Sequence, residues 1–106
     1  MFTVSYRFTI HPQQNEALEG AWKEVTKLIY QHCGSLGSRL YKASEDSYIG
    51  IAQWPDKATW ETYDLTEADP NDWRAKMRAC CISTEKLDEL ELIHDLWAEK
   101  PFHEHL

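Results

Sequence analysis

The stretch Tyr48–Tyr63, YIGIAQWPDKATWETY, decides the fold, because it reads as a strand that runs straight into a helix. Tyr48, Ile49, Ile51, Ala52 and Trp54 are the aromatic, β-branched and small residues that suit a pleated, half-buried surface. Pro55 cannot donate to a ladder and ends the strand at Trp54. Asp56 is placed as an N-cap, and Ala58, Trp60 and Tyr63 follow on helical spacing towards about Leu65. Trp54, Trp60 and Tyr63 therefore gather where strand hands over to helix. Such a cluster either walls an apolar ligand pocket or packs a core corner.

Upstream, residues 2–10, FTVSYRFTI, alternate with a period of two. Phe2, Val4, Tyr6, Phe8 and Ile10 share one face, so this segment is a strand with one apolar side; His11-Pro12 ends it. From Gln14 to Cys33 the period lengthens. Leu18, Ala21, Trp22, Val25, Leu28 and Ile29 recur at steps of three and four, which predicts an amphipathic helix, and Gly34 supplies its left-handed end. Ser35–Ala43 is a second strand, joined by Glu45-Asp46-Ser47 to the strand already described, as a hairpin.

Downstream, Asp69-Pro70 reads as a cap followed by proline at the first helical position. A third helix follows with Trp73, Met77, Cys80 and Thr84 on one side, its extension to Leu87 left open. Leu90–Trp97, LELIHDLW, is assigned as the last strand. The order βαββααβ predicts an α+β ferredoxin-like antiparallel sheet over residues 1–98, with helices on one face and a tail at 99–106. Ile49 and Ile51 make the other sheet face apolar too, which calls for a second subunit and points to a homodimer.

A chain of 106 residues suits a single domain with a modest core. The formal net charge of −7 and the lack of any Lys/Arg cluster argue against nucleic acid as a partner. No apolar run approaches a membrane span, so no membrane is expected, and a cytoplasmic location follows. Cys33, Cys80 and Cys81 have no CxxC spacing and fit reduced thiols.

The segments YRFTI, HCGSLGSRLYK and IAQWPDKATWETY together resemble the dimeric α+β barrel superfamily, and within it the antibiotic biosynthesis monooxygenase-like domains. The resemblance spans Phe2 to Trp97. It implies two ferredoxin-like subunits sharing a barrel, each with a cavity between its sheet and its helices. It also implies a monooxygenase that needs no cofactor and acts on a small aromatic, quinol- or anthrone-like molecule, whose own electrons reduce dioxygen. On that basis Tyr6, Arg39 and His94 are candidate catalytic groups, the last two if their strands point them inward. Trp54, Trp60, Tyr63 and Trp73 are candidates to line the substrate space. The haem-degrading relatives carry an Asn, a Trp and a ligating His where this chain has Tyr6, Tyr63 and Trp73, which argues against that activity. The alternative to an enzyme is a dimeric module that binds a hydrophobic ligand or is purely structural, with Trp22, Trp54, Trp60 and Trp73 filling the space.

No metal site is expected, because His103, His105 and His94 lack tetrahedral ligand spacing. Arg74 and Arg78, four apart, read as a solvated face near Asp72 and Glu85, with an anion site over the cavity as the sharper alternative. Only four glycines and no phosphate-binding fingerprint exclude a Rossmann nucleotide site.

Overall fold

The computed structural model describes residues 1–98. The elements are β1 (Phe2–Ile10), α1 (Asn15–His32), β2 (Gly37–Ser44), β3 (Ser47–Trp54), α2 (Lys57–Thr62), a single 3₁₀ turn (Thr66–Ala68), α3 (Trp73–Ala79) and β4 (Cys81–Glu91). They form one four-stranded antiparallel sheet in the order β2-β3-β1-β4. This is the ferredoxin-like α+β arrangement.

The alternation along β1 sorts the whole sheet. Val4 pairs with Ala52, Tyr6 with Gly50 and Phe8 with Tyr48 on β3, so these side chains share the helix-facing side. Across the next pair, Ser38 meets Ala52 and Leu40 meets Gly50. Phe8, Ile10, Leu18, Tyr48 and Cys80 make the central buried cluster, which the α1 stripe of Leu18, Ala21 and Val25 covers. Tyr48 is buried yet satisfied: its hydroxyl donates to Glu19 Oε2 at 2.6 Å and accepts from Asn15 Nδ2 at 3.0 Å.

The helix ends follow local chemistry. Asp56 accepts from the Thr59 backbone N–H at 2.8 Å and so caps α2. Gly34 closes α1 at φ 84°, where an added Cβ would also lie 3.3 Å from Thr59 Cγ2. Pro70 does not open α3, however. Asp69 reaches forward instead, accepting from Trp73 N at 2.8 Å and Arg74 N at 3.0 Å, so the helix begins at Trp73.

The last strand is displaced from its expected position. It runs from Cys81 to Glu91 rather than from Leu90 to Trp97, and Cys80 and Thr84 lie beyond the end of α3. Local composition, ISTEKLDELE, favours a helix as readily as a strand, but β1 has an edge whose N–H and C=O groups need partners. Pairing with β1 decides the outcome, with two irregularities that absorb the mismatch, between Ser5/Tyr6 and Thr9/Ile10. At the first, the buried Ser5 hydroxyl accepts from Asp88 N at 3.2 Å. After β4 the chain bonds Leu92 N to Met1 O and reaches the opposite sheet edge, where Trp97 lies 4.0 Å from the Arg39 guanidinium. His103, His105 and the tail at 99–106 lie outside the described residues.

Gly50 is held to glycine by a close approach. A Cβ there would sit 3.0 Å from Phe8 Cε2 and 3.6 Å from Trp22 Nε1, and the buried Phe8 ring has little room to yield. Gly50→Ala is expected to cost about 1–3 kcal/mol by overpacking, read as a lowered urea midpoint with an unchanged m-value.

Candidate functional site

Between the sheet and the helices lies a cavity of about 300 Å³. Its floor is made of small side chains that the register brings together on the helix-facing side: Ser38 on β2, and Gly50 and Ala52 on β3. Its walls are aromatic. Tyr6 and Phe8 come from β1, Trp22 from α1, Trp54 from the end of β3, Trp60 from α2, and Tyr63 from just beyond α2. Trp54 and Tyr63 stack with centroids 5.0 Å apart, and Phe2 braces Trp60 at 5.4 Å.

The polar groups are few. Trp60 Nε1 donates to Tyr6 Oη at 2.9 Å, fixing the phenol and leaving its own O–H free to donate. Burial pushes the Tyr6 phenol above its ordinary value; the Trp60 bond opposes this, while Tyr63 and Glu89 add to it. Tyr6 is therefore a neutral hydrogen-bond donor near neutral pH, not a base. Beside Trp60, Glu89 is paired with Lys57 at 2.9 Å and with Lys86, whose ammonium lies 5.5 Å from the Trp60 ring centroid. Those two lysines hold the Glu89 carboxyl below its usual value. Trp54 Nε1 is buried and finds no partner among the described residues.

Tyr6, Trp54, Trp60 and Tyr63 thus meet in one space, while three other candidates fall elsewhere. Arg39 alternates with Ser38 and Leu40, so it points away from the helices and stacks on Trp97. His94 follows the end of β4 and is exposed, because the strand ends at Glu91. Trp73 lies outside the cavity lining, with Lys76 Nζ 4.3 Å from its ring centroid. The face of α3 that lines the cavity instead carries Arg74, Met77 and Arg78. Their spacing was visible in the sequence; Thr84 on β4 was not placed there because that segment reads as helix. Among the described residues no three His, Cys, Asp or Glu side chains converge in a metal-binding cluster.

The fold is that of known antibiotic biosynthesis monooxygenase structures. The cofactor-independent oxygenase SnoaB from Streptomyces nogalater superposes with a TM-score of 0.68 at 21% identity, over 90% of this chain and 95% of that one. An antibiotic biosynthesis monooxygenase structure gives 0.69 at 18% identity, over 89% and 100% of the two chains. Rv0793 from Mycobacterium tuberculosis gives 0.65 at 14%, over 91% and 98%. No family model and no curated protein sequence matches the chain. At these identities the likeness establishes the fold; the reaction has to be argued from the cavity.

Two tyrosines make stability depend on alkaline pH. Burial raises Tyr6, and burial followed by the bond to Glu19 raises Tyr48. Each native phenol holds its proton more tightly than the unfolded chain does, so the stabilisation is present below the unfolded value and lost as pH rises through the folded one. Urea midpoints are expected to fall as the pH rises past about 10, the unfolded tyrosine value, and Tyr48→Phe should flatten that decline.

Proposed function

We propose that the chain is a cofactor-independent monooxygenase acting on a small anthrone- or quinol-like aromatic molecule. The observation that carries this reading is the Tyr6 phenol, held by Trp60 at 2.9 Å inside an aromatic cavity. Among the described residues no carboxylate and no imidazole lines that cavity. The protein's contribution is therefore to favour the ionised form of the substrate rather than to supply a strong base. Flat rings pack against Trp54, Trp60 and Tyr63, and the Tyr6 hydroxyl donates to the substrate oxygen on which negative charge develops.

Loss of the benzylic proton to water gives an electron-rich enolate that reduces dioxygen directly. Carbon–oxygen bond formation gives a hydroperoxide, and loss of water from it leaves a carbonyl. The balance is a CH₂ group plus O₂ yielding C=O plus H₂O, with no further reductant. The apolar aromatic walls lower the dielectric around the Tyr6 hydroxyl and so strengthen that hydrogen bond.

We read the active form as a homodimer in the cytoplasm. The support is an outer sheet face bearing Ile49 and Ile51, together with the exposed Ile93, Leu96 and Trp97 that follow β4. Free Cys33, Cys80 and Cys81 suit a reducing compartment. No helix among the described residues is long and apolar enough to cross a membrane. Sedimentation at micromolar concentration is expected to give a dimer; a monomer there ends that assignment.

Oxygen uptake with anthrone, using protein freed of metal by chelation, tests the activity. Uptake should be enzyme-dependent, and Tyr6→Phe should lower kcat/KM by about 10–100-fold with the fold retained. Anthrone binding without uptake identifies a ligand-binding module instead. That second reading is favoured by the missing base.

A further inference from the structure

Arg74 and Arg78 are one helical turn apart on α3, so their side chains share a face, and both line the cavity that holds Tyr6 and Trp60. Arg74 is half-buried, and its backbone is pinned by the Asp69 carboxylate. Arg78 and Thr84, which also line the cavity, are both exposed. Neither guanidinium forms an ion pair among the described residues. The four ion pairs there all use lysines: Lys27, Lys42, Lys57 and Lys86.

No carboxylate forms an ion pair with either arginine among the described residues. Glu85 pairs in register with Arg7 and so points to the opposite sheet face. Asp64, which feels the charge of Arg74, is committed to the Thr66 backbone N–H at 2.8 Å. In a chain of net charge −7, two adjacent arginines line one aromatic-walled cavity with no ion-pair partner among the described residues, and Asp64 is the carboxylate that acts on Arg74 through space. Arginine cannot discharge by losing a proton, so the charge has to be met by a ligand or by solvent.

We infer that Arg74 and Arg78 form a carboxylate-binding subsite, and that the molecule taken by the cavity is an aromatic acid. A planar carboxylate matches the guanidinium fork through two parallel N–H···O bonds, and partial burial of Arg74 makes the pairing stronger than it is in water. The aromatic walls then hold the ring system of the same molecule. This assignment rests on the reading of the cavity as the substrate site, but it concerns binding and is separable from turnover.

The test is isothermal titration calorimetry with α-naphthoate and its neutral isostere α-naphthamide, which differ in charge and little in shape. The wild-type chain should bind the naphthoate at least about tenfold more tightly, equivalent to about 1.4 kcal/mol. Arg74→Gln combined with Arg78→Gln should bring the two affinities within about twofold, and raising NaCl from about 0.05 to 0.5 M should narrow the wild-type preference. Equal wild-type affinities, or a preference that survives in the double variant, overturn the assignment. Should the double variant fail to fold by circular dichroism, Arg78→Gln alone decides, since its side chain is exposed: the preference must fall by about threefold or more, and an unchanged ratio overturns the subsite. A naphthyl phosphate bound more than about tenfold more tightly than the naphthoate would overturn the choice of carboxylate in favour of a phosphate ester. Charge-selective binding without oxygen uptake would remove the oxygenase reading and leave the subsite. Uptake with no charge preference would do the reverse.

Discussion

The structure depends on one geometric constraint, the period of two along β1. That strand is paired on both edges, with β3 on one side and β4 on the other, so its alternation dictates which side chains of its neighbours meet the helices. Val4, Tyr6, Phe8 and Ile10 face inward together. A slip of one residue would turn Tyr6 and Phe8 out and bring Ser5 and Arg7 in. Arg7 instead stays on the outer face, where it donates to Ser47 Oγ at 3.0 Å. The inward face is also where the buried cluster lies, so the same register fixes stability and the site.

The cavity is a consequence of side-chain size as much as of topology. Beneath the helices the sheet presents Ser38, Ala52 and Gly50 in adjacent register positions, and none of them reaches up to fill the gap. Aromatic groups stand around this floor, and α3 adds Arg74, Met77 and Arg78 to the lining. The space that a packed core would fill with tryptophan is left open because the tryptophans are spread along its walls. Trp54 stacks on Tyr63, Trp60 is tied to Tyr6, and Trp73 is turned out under Lys76. Tyr6 is held among these walls by Trp60, and Arg74 and Arg78 of α3 line the same space.

Much of this was legible in the chain because the relevant signals are local. The alternation of FTVSYRFTI, the three-and-four spacing from Leu18 to Ile29, and Asp56 after Trp54-Pro55 each act over a few residues. Each produced the element it announces. The aromatic cluster at the β3–α2 handover followed from the same reading, since sequence neighbours there are spatial neighbours. Arg39 and His94 failed for a different reason. The direction of Arg39 depends on the register of β2 against β3, and that of His94 on where the final strand stops.

Local pattern along the chain set the order of elements, the inward face of β1, the cap at Asp56, the close of α1 at Gly34, and the gathering of Trp54, Trp60 and Tyr63. Tertiary structure alone decided the fate of residues 80–97. Their composition suits helix and strand about equally, and the choice was made by the unpaired edge of β1, which recruits Cys81–Glu91 and leaves His94 outside the sheet. That pairing also sends Glu85 to the far face, away from Arg74 and Arg78. Hydrogen bonding between residues some eighty positions apart outweighs a local preference worth a few tenths of a kcal/mol per residue, roughly the spread of helix propensities.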